Sequence, residues 1–154
     1  MAYNDLLSLG LRLNRRAEGM EVKVNRRMRE AIVSTHRVIA SGTPVDTGQA
    51  RSNWRGSSAA NAPTDVIEAY APGTKLGISE TANLASANAQ VARAATRWKA
   101  TSGRPFFIFN NWPLISDLNA GNISTQGSFF LQAGIGHWSA QIRRIKGWMT
   151  RNGR

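Results

Sequence analysis

The chain has 154 residues, 20 Lys and Arg against 9 Asp and Glu, and no cysteine, for a formal net charge of +11. That length suits a single domain with a real core, and the missing cysteines exclude a disulfide framework and a thiol nucleophile and fit assembly in a reducing cytoplasm. No run of eighteen apolar residues exists, which excludes a membrane-spanning helix; the opening MAYNDLLSLGLRLNRR lacks a basic start, an apolar stretch and a small-residue cleavage site, so no signal peptide is expected.

From about Asp5 to Ala40, Leu6, Leu9, Leu13, Ala17, Met20, Val24, Ala31 and Val38 recur at spacings of three and four, which predicts a long helix with these residues on one face. Arg12, Arg15, Arg16, Lys23, Arg26, Arg27, Arg29 and Arg37 lie between them. Gly10 and Gly19 each cost a helix about 1 kcal/mol against alanine, so the helix can break near either. Gly42 reads as the C-terminal cap, and Pro44 stands where a helix cannot continue.

Ser52–Ser58 alternates around Trp54 and reads as a strand, and Val66–Ala71 as a second, between turns at Asn61–Pro63 and Tyr70–Gly73. Ser79 can cap a helix from about Thr81 to Lys99 whose Leu84, Val91, Ala95 and Trp98 share a face. Phe106–Phe109 is expected as a buried strand and Asn119–Asn122 as a loop. From about Ser128 the tail carries Phe130, Trp138, Ile142, Ile145 and Met149 at helical spacing, with Gly134 and Gly136 predicting a kink or a late start. The order of elements predicts one α+β domain over 1–154: a small antiparallel sheet packed with a long N-terminal helical arm (1–41), a middle helix, and a C-terminal helix with a basic tail (128–154).

Chemistry is sparse. Asp46-Thr47-Gly48 has the letters of an aspartic-protease catalytic loop, which needs two carboxylates sharing a proton in an apolar, strand-flanked turn. Here a helix stop precedes it, and Gln49, Arg51, Asn53 and Arg55 follow. A turn explains more letters: Pro44 directs the chain out of the helix, the Asp46 carboxylate accepts from backbone N–H groups ahead, Gly48 supplies a positive φ, and Arg51 is a local partner for Asp46. Neither histidine has an acidic pair at ligand spacing. His36, on a basic helix, is expected to be solvated or partner-facing, and His137 to be packed or hydrogen-bonded. There is no phosphate-binding loop or nucleophile elbow, so neither an enzyme nor a cofactor is expected.

The charge points to a polyanion or an acidic protein surface, although basic side chains can also do no more than solvate helix faces. Arg12, Arg15, Arg16, Lys23, Arg26 and Arg27, with Arg143, Arg144 and Lys146 near the tail, are the candidate contacts to subunits, partners or DNA. They are able to touch phosphates without reading sequence. The five tryptophans sit at core-like positions rather than interleaved with basic residues as a stacking platform.

Two segments belong together: Thr43-Pro44-Val45-Asp46-Thr47-Gly48-Gln49-Ala50-Arg51-Ser52-Asn53-Trp54, and Phe107-Ile108-Phe109-Asn110-Asn111-Trp112-Pro113-Leu114-Ile115-Ser116-Asp117-Leu118-Asn119-Ala120-Gly121. As a pair at this spacing they resemble the tail-completion (neck) proteins of tailed bacteriophages, the group that includes lambda's minor tail protein Z and the gene-10-like head–tail joining proteins. The likeness runs in order along nearly the whole chain. It departs from the family pattern at Leu114, where tyrosine is usual, and at Asn119, where glutamate is usual, and Ser124–Gly127 follows the pattern only loosely.

The resemblance implies a structural virion protein, assembled in the bacterial cytoplasm, that forms a homo-oligomeric ring of sixfold or twelvefold symmetry, with sixfold favoured. Its partners would be a portal-side connector or adaptor and a tail terminator or tail tube protein, with packaged DNA passing through the lumen. The family-motif residues are Pro44, Asp46, Gly48, Arg51, Trp54, Asn110, Asn111, Pro113, Leu118 and Gly121. Trp54, Phe107, Phe109, Trp112 and Leu118 are expected in the core, and Gly48 and Gly121 at turns. A non-sequence-specific DNA-binding protein is the alternative.

Overall fold

Ala2–Gly42 form one uninterrupted helix of 41 residues, α1, about 60 Å long at 1.5 Å per residue. The computed structural model describes residues 2–44, 48–58, 64–66, 78–122 and 129–152. After α1 come α2 (Gln49–Ser52), β1 (Trp54–Ser57), α3 (Ile78–Arg97), a 3-10 turn (Ala100–Ser102), β2 (Phe107–Asn110), α4 (Ile115–Ala120) and α5 (Phe130–Asn152). β1 and β2 pair antiparallel, with Trp54 opposite Asn110 and Ser57 opposite Phe107. The result is a mostly helical α+β fold with a two-stranded sheet packed against helices, as the order of elements predicts.

The break that Gly10 and Gly19 allow for in α1 does not occur: both face open space, and the helix absorbs their cost. Its two halves nevertheless differ completely. Residues 5–19 are all exposed, whereas Ala31, Ile32, Thr35, His36, Ile39 and Ala40 are buried. The transition is made by Glu21, whose carboxylate accepts from Thr101 Oγ1 (2.9 Å), and by Asn25, whose Oδ1 accepts the Ala100 N–H at 2.7 Å. The stripe read from the sequence is therefore not the packing face. Of its members only Ala31 is buried; Leu6, Leu9 and Leu13 stand in solvent on an arm that extends about 30 Å beyond the body.

Two apolar clusters make the core. One joins Ile39, Ala40, Ala50, Trp54, Ala87, Leu118 and Phe130, so that α1, α2, β1, α3, α4 and α5 all contribute. The other joins Ile32, Val91, Ala95 and Trp98, with Trp98 edge-on to Phe106 at 5.7 Å. The alanines of α3 let β1 approach closely, and Gly56 completes that approach: a Cβ there would lie 2.8 Å from the Phe106 ring and 3.4 Å from the Val91 Cα.

Glycines explain the α1–α5 contact too. Gly42 is the last residue of α1 rather than a left-handed cap, and a Cβ on it would stand 3.0 Å from the Phe130 Cβ. Gly134 produces neither a kink nor a late start. It is buried inside a continuous α5, where a Cβ would come within 2.3 Å of Ile39 Cγ1. Gly134→Ala is expected to lower stability by about 1–3 kcal/mol through overpacking. Gly136→Ala, into open space, should be neutral or gain up to about 1 kcal/mol from helix propensity. Denaturant midpoints of the two variants check the contrast.

Other expectations need correcting. The strand read from Ser52 begins at Trp54, because Gln49–Ser52 closes a helical turn first, with Ser52 N–H donating to Gly48 O and Asn53 N–H to Gln49 O. β2 is not a buried strand: side chains alternate along it, so Ile108 packs into both clusters while Phe107, on the other face, is 41 % exposed. Asn119 and Ala120 close α4 instead of opening a loop. α3 starts at Ile78, which puts Ser79 inside its first turn rather than at its cap. Met149 is exposed, unlike Phe130 and Ile145. Val66 lies outside any strand. The turns at Asn61–Pro63 and Tyr70–Gly73, the rest of the Val66–Ala71 strand and the Ser124–Gly127 stretch lie outside the described residues.

Candidate functional site

The two sequence blocks that lie sixty residues apart meet in one corner. Trp54 pairs with Asn110 across the sheet. The Asn110 side chain then clamps both blocks: its Nδ2 donates to Ala50 O (2.7 Å), and its Oδ1 accepts the Trp112 N–H (2.9 Å). Asn111 Nδ2 donates to Asp65 O at 3.1 Å, and Pro113, exposed, opens the turn into α4.

Both expected turn glycines hold left-handed backbone: Gly48 (φ 82°) precedes α2, and Gly121 (φ 80°) ends α4, its N–H donating to Leu118 O. A side chain at either position would be strained. Trp54 and Leu118 are buried as expected; Trp112 is half-buried against the same cluster, and Phe109 is half-buried on the outer face of β2.

Arg51 and Arg55 are both held inside the chain. Arg51 is buried and its Nη2 donates to Thr43 O (2.7 Å) and Ser41 O (3.3 Å), supplying donors to carbonyls that the end of α1 leaves without helical partners. Arg55 faces Asp65 through Nη1 at 3.1 and 3.2 Å and through Nη2 to the Asp65 carbonyl. That guanidinium holds the Asp65 carboxyl below its usual 3.8. Asp46 lies outside the described residues, as does the rest of its turn.

At Asn119, where the family pattern has an acid, the amide does the work of a helix cap. Its Oδ1 accepts the Leu131 N–H (3.0 Å) and its Nδ2 donates to Gln132 Oε1 (3.2 Å), while its backbone carbonyl accepts from Phe129 N–H. An oxygen acceptor at the N-terminus of α5 is what the unpaired amides there require. Leu114, the other departure, is exposed.

The basic candidates divide. Arg12, Arg15, Arg16, Lys23 and Arg26 are exposed on α1 and fall within about 100° of its circumference at 3.6 residues per turn. Arg143, Arg144 and Lys146 are exposed on α5. Arg27 is not an outward contact: its guanidinium lies 4.4 Å above the Trp148 ring, a cation–π pairing between α1 and α5. Arg29, which the sequence did not single out as a contact, ties α1 to the end of α3 by donating twice to Trp98 O (3.0 and 2.9 Å).

His36 overturns its expectation. It is fully buried, with Nδ1 donating to Asn88 Oδ1 at 2.9 Å and no partner for Nε2 among the described residues. Burial pushes its pKa down from 6.5 to about 4; the Asn88 bond opposes this and the Arg37 charge adds to it. His137 is hydrogen-bonded as expected, its Nε2 3.1 Å from both Ser34 Oγ and Gln141 Nε2.

Beside this corner, α1, α5 and β2 enclose an open apolar groove of ≈ 300 Å³, lined by Met28, Ile32, Ile39, Phe106, Ile135 and Trp138 among others. Among the described residues no three His, Asp or Glu side chains gather as a metal-ligand set, and no helix is long and apolar enough to cross a membrane. No protein-family model, curated protein or solved structure matches the chain.

Proposed function

We propose that the chain is a structural subunit of a phage neck: a homo-oligomeric ring, sixfold in preference to twelvefold, that joins a portal-side connector to a tail-side protein and passes DNA through its lumen. The observation that carries this reading is the arm. A helix that leaves Leu6, Leu7, Leu9, Leu11 and Leu13 all in solvent belongs to an assembly, because a solitary domain gains nothing from such a surface. The resemblance names the kind of assembly, and the corner built by its two blocks supports the reading: the motif residues serve backbone geometry and packing, as a scaffold requires. Excess arginine suits docking on acidic neighbours.

The test is the mass of the chain alone and mixed with its portal-side and tail-side neighbours. A ring mass in the mixture is expected, and a monomer in the presence of both removes the proposal. The basic stripe on α1 favours the second reading, DNA binding without sequence preference. That reading requires affinity falling steeply with salt, and absence of binding at low salt ends it.

A further inference from the structure

The leucines of the arm and the apolar groove belong to the same chain and cannot meet within it. Leu13 and Met28 are fifteen residues apart on one continuous helix, about 22 Å along its axis, and Leu6 is farther still. We infer that the arm of one copy lies in the groove of the next, with the Leu6–Leu9–Leu13 ridge seated against the accessible part of its lining, Met28, Phe106, Ile135 and Trp138, above the buried Ile32 and Ile39. This deepens the proposal above and rests on its self-assembling half.

Three observations favour a second copy as the occupant. The first is charge. Residues 5–13 carry one acid, Asp5, and one base, Arg12, so this ridge has no net charge and a chain of +11 does not repel it. The basic stripe adjoins the ridge, with Arg16 about 20° from Leu9 around the helix, and its centre lies about 100° away.

The second is chemistry. Leu6, Leu9 and Leu13 fall within about 60° of the helix circumference, forming a narrow ridge. The groove is almost wholly apolar, with Thr35 the one hydroxyl-bearing residue in its lining. Ile135, on its rim, is 66 % exposed.

The third is placement: the ridge lies in residues 6–13, on the arm, and the groove begins at Met28, within the body. Ridge and groove are displaced along the molecule, so the contact is head-to-tail, the kind that closes into rings when the rotation permits.

The chain has no cysteine, which makes disulfide trapping clean. Leu9→Cys and Ile135→Cys are both at exposed positions, and a bond forms only if Cα atoms come within about 7 Å. The full-length double variant, mildly oxidised, is expected to give a ladder of oligomers on non-reducing gels. The two single variants mixed should give one cross-linked dimer. Leu9→Cys mixed with Arg144→Cys, on the opposite side of α5, should give no heterodimer.

Bonding of Leu9→Cys to itself in place of Ile135→Cys would put arm on arm and overturn the inference. Absence of any bond above the Arg144→Cys background would leave the ridge to a different protein or a lipid surface and overturn it equally. If rings form with the neck neighbours but this pair never bonds, the seat is wrong and the ring stands. If the pair bonds but no ring assembles on those neighbours, the neck reading fails alone.

Discussion

Replacing Trp54 with alanine is expected to cost about 3–5 kcal/mol, a large part of the roughly 5–15 kcal/mol that stabilises an ordinary domain. The ring is 2 % exposed and stands edge-on to Phe130 at 6.1 Å, within a cluster to which both sequence blocks contribute. Its Nε1 donates to Thr43 Oγ1 (2.8 Å), which in turn donates to Ile39 O at 2.8 Å. Truncation therefore opens a cavity among α1, β1, α4 and α5 and strips the hydroxyl of its donor. Trp54→Phe keeps most of the packing and loses the hydrogen bond, so its cost should be clearly smaller. Urea unfolding of the three proteins decides the point. A Trp54→Ala loss below about 1 kcal/mol, within the range of ordinary single substitutions, would show that this corner does not hold the fold together.

The second large effect is a dependence on pH that one residue dominates. In the unfolded chain His36 takes a proton near pH 6.5, whereas in the folded chain burial delays this to about pH 4. Between those values the unfolded state binds the extra proton, so stability falls as the pH falls from 6.5 and levels off below 4. A shift of that size corresponds to about 3 kcal/mol across the window. The structural cause is visible: protonating Nε2 puts a charge and a donor where no described group accepts it.

His36→Gln is expected to shift the absolute stability but to remove this slope. Comparing the two proteins by unfolding at pH 7.5, 6, 5 and 4 cancels the ordinary carboxylates common to both. Parallel profiles would refute the assignment. Asp65, held below 3.8 by Arg55, stabilises the fold above that pH and loses its contribution as the pH falls further, outside the His36 window.

The sequence announces the elements better than it announces their roles. The helix stop at Gly42 and Pro44, the helical spacing of α3 and α5 and the aromatic run of β2 are local signals, and local geometry honours them. The face of α1 is not a local property. Its leucine-rich half and its core half have comparable apolar spacing, and only packing against α3 and α5 selects Ile32, His36, Ile39 and Ala40 for burial. His36 was legible in part, since Ile32, Ile39 and Ala40 lie four before, three after and four after it on the same side of the helix. The arginines around it hid that pattern.

Gly134 reads as a weakness of α5 by propensity, yet of the glycines whose surroundings are described it is where a neighbouring group presses closest. The motif corner was legible as a pair of blocks and not as a contact. That Asn110 reaches Ala50, and that Arg51 caps α1, follows from chain paths that no spacing encodes.

Continuity of α1 has a mechanical consequence. The same rod that stands free at Leu6 packs at Ile39 into the cluster that holds Trp54 and Phe130, and neither Gly10 nor Gly19 interrupts it along the way. Whatever grips the free end therefore gains a lever on the core: a sideways load there is transmitted as torque to the buried end instead of being relieved at a swivel. Orientation of the body is thereby dictated by how its arm is held.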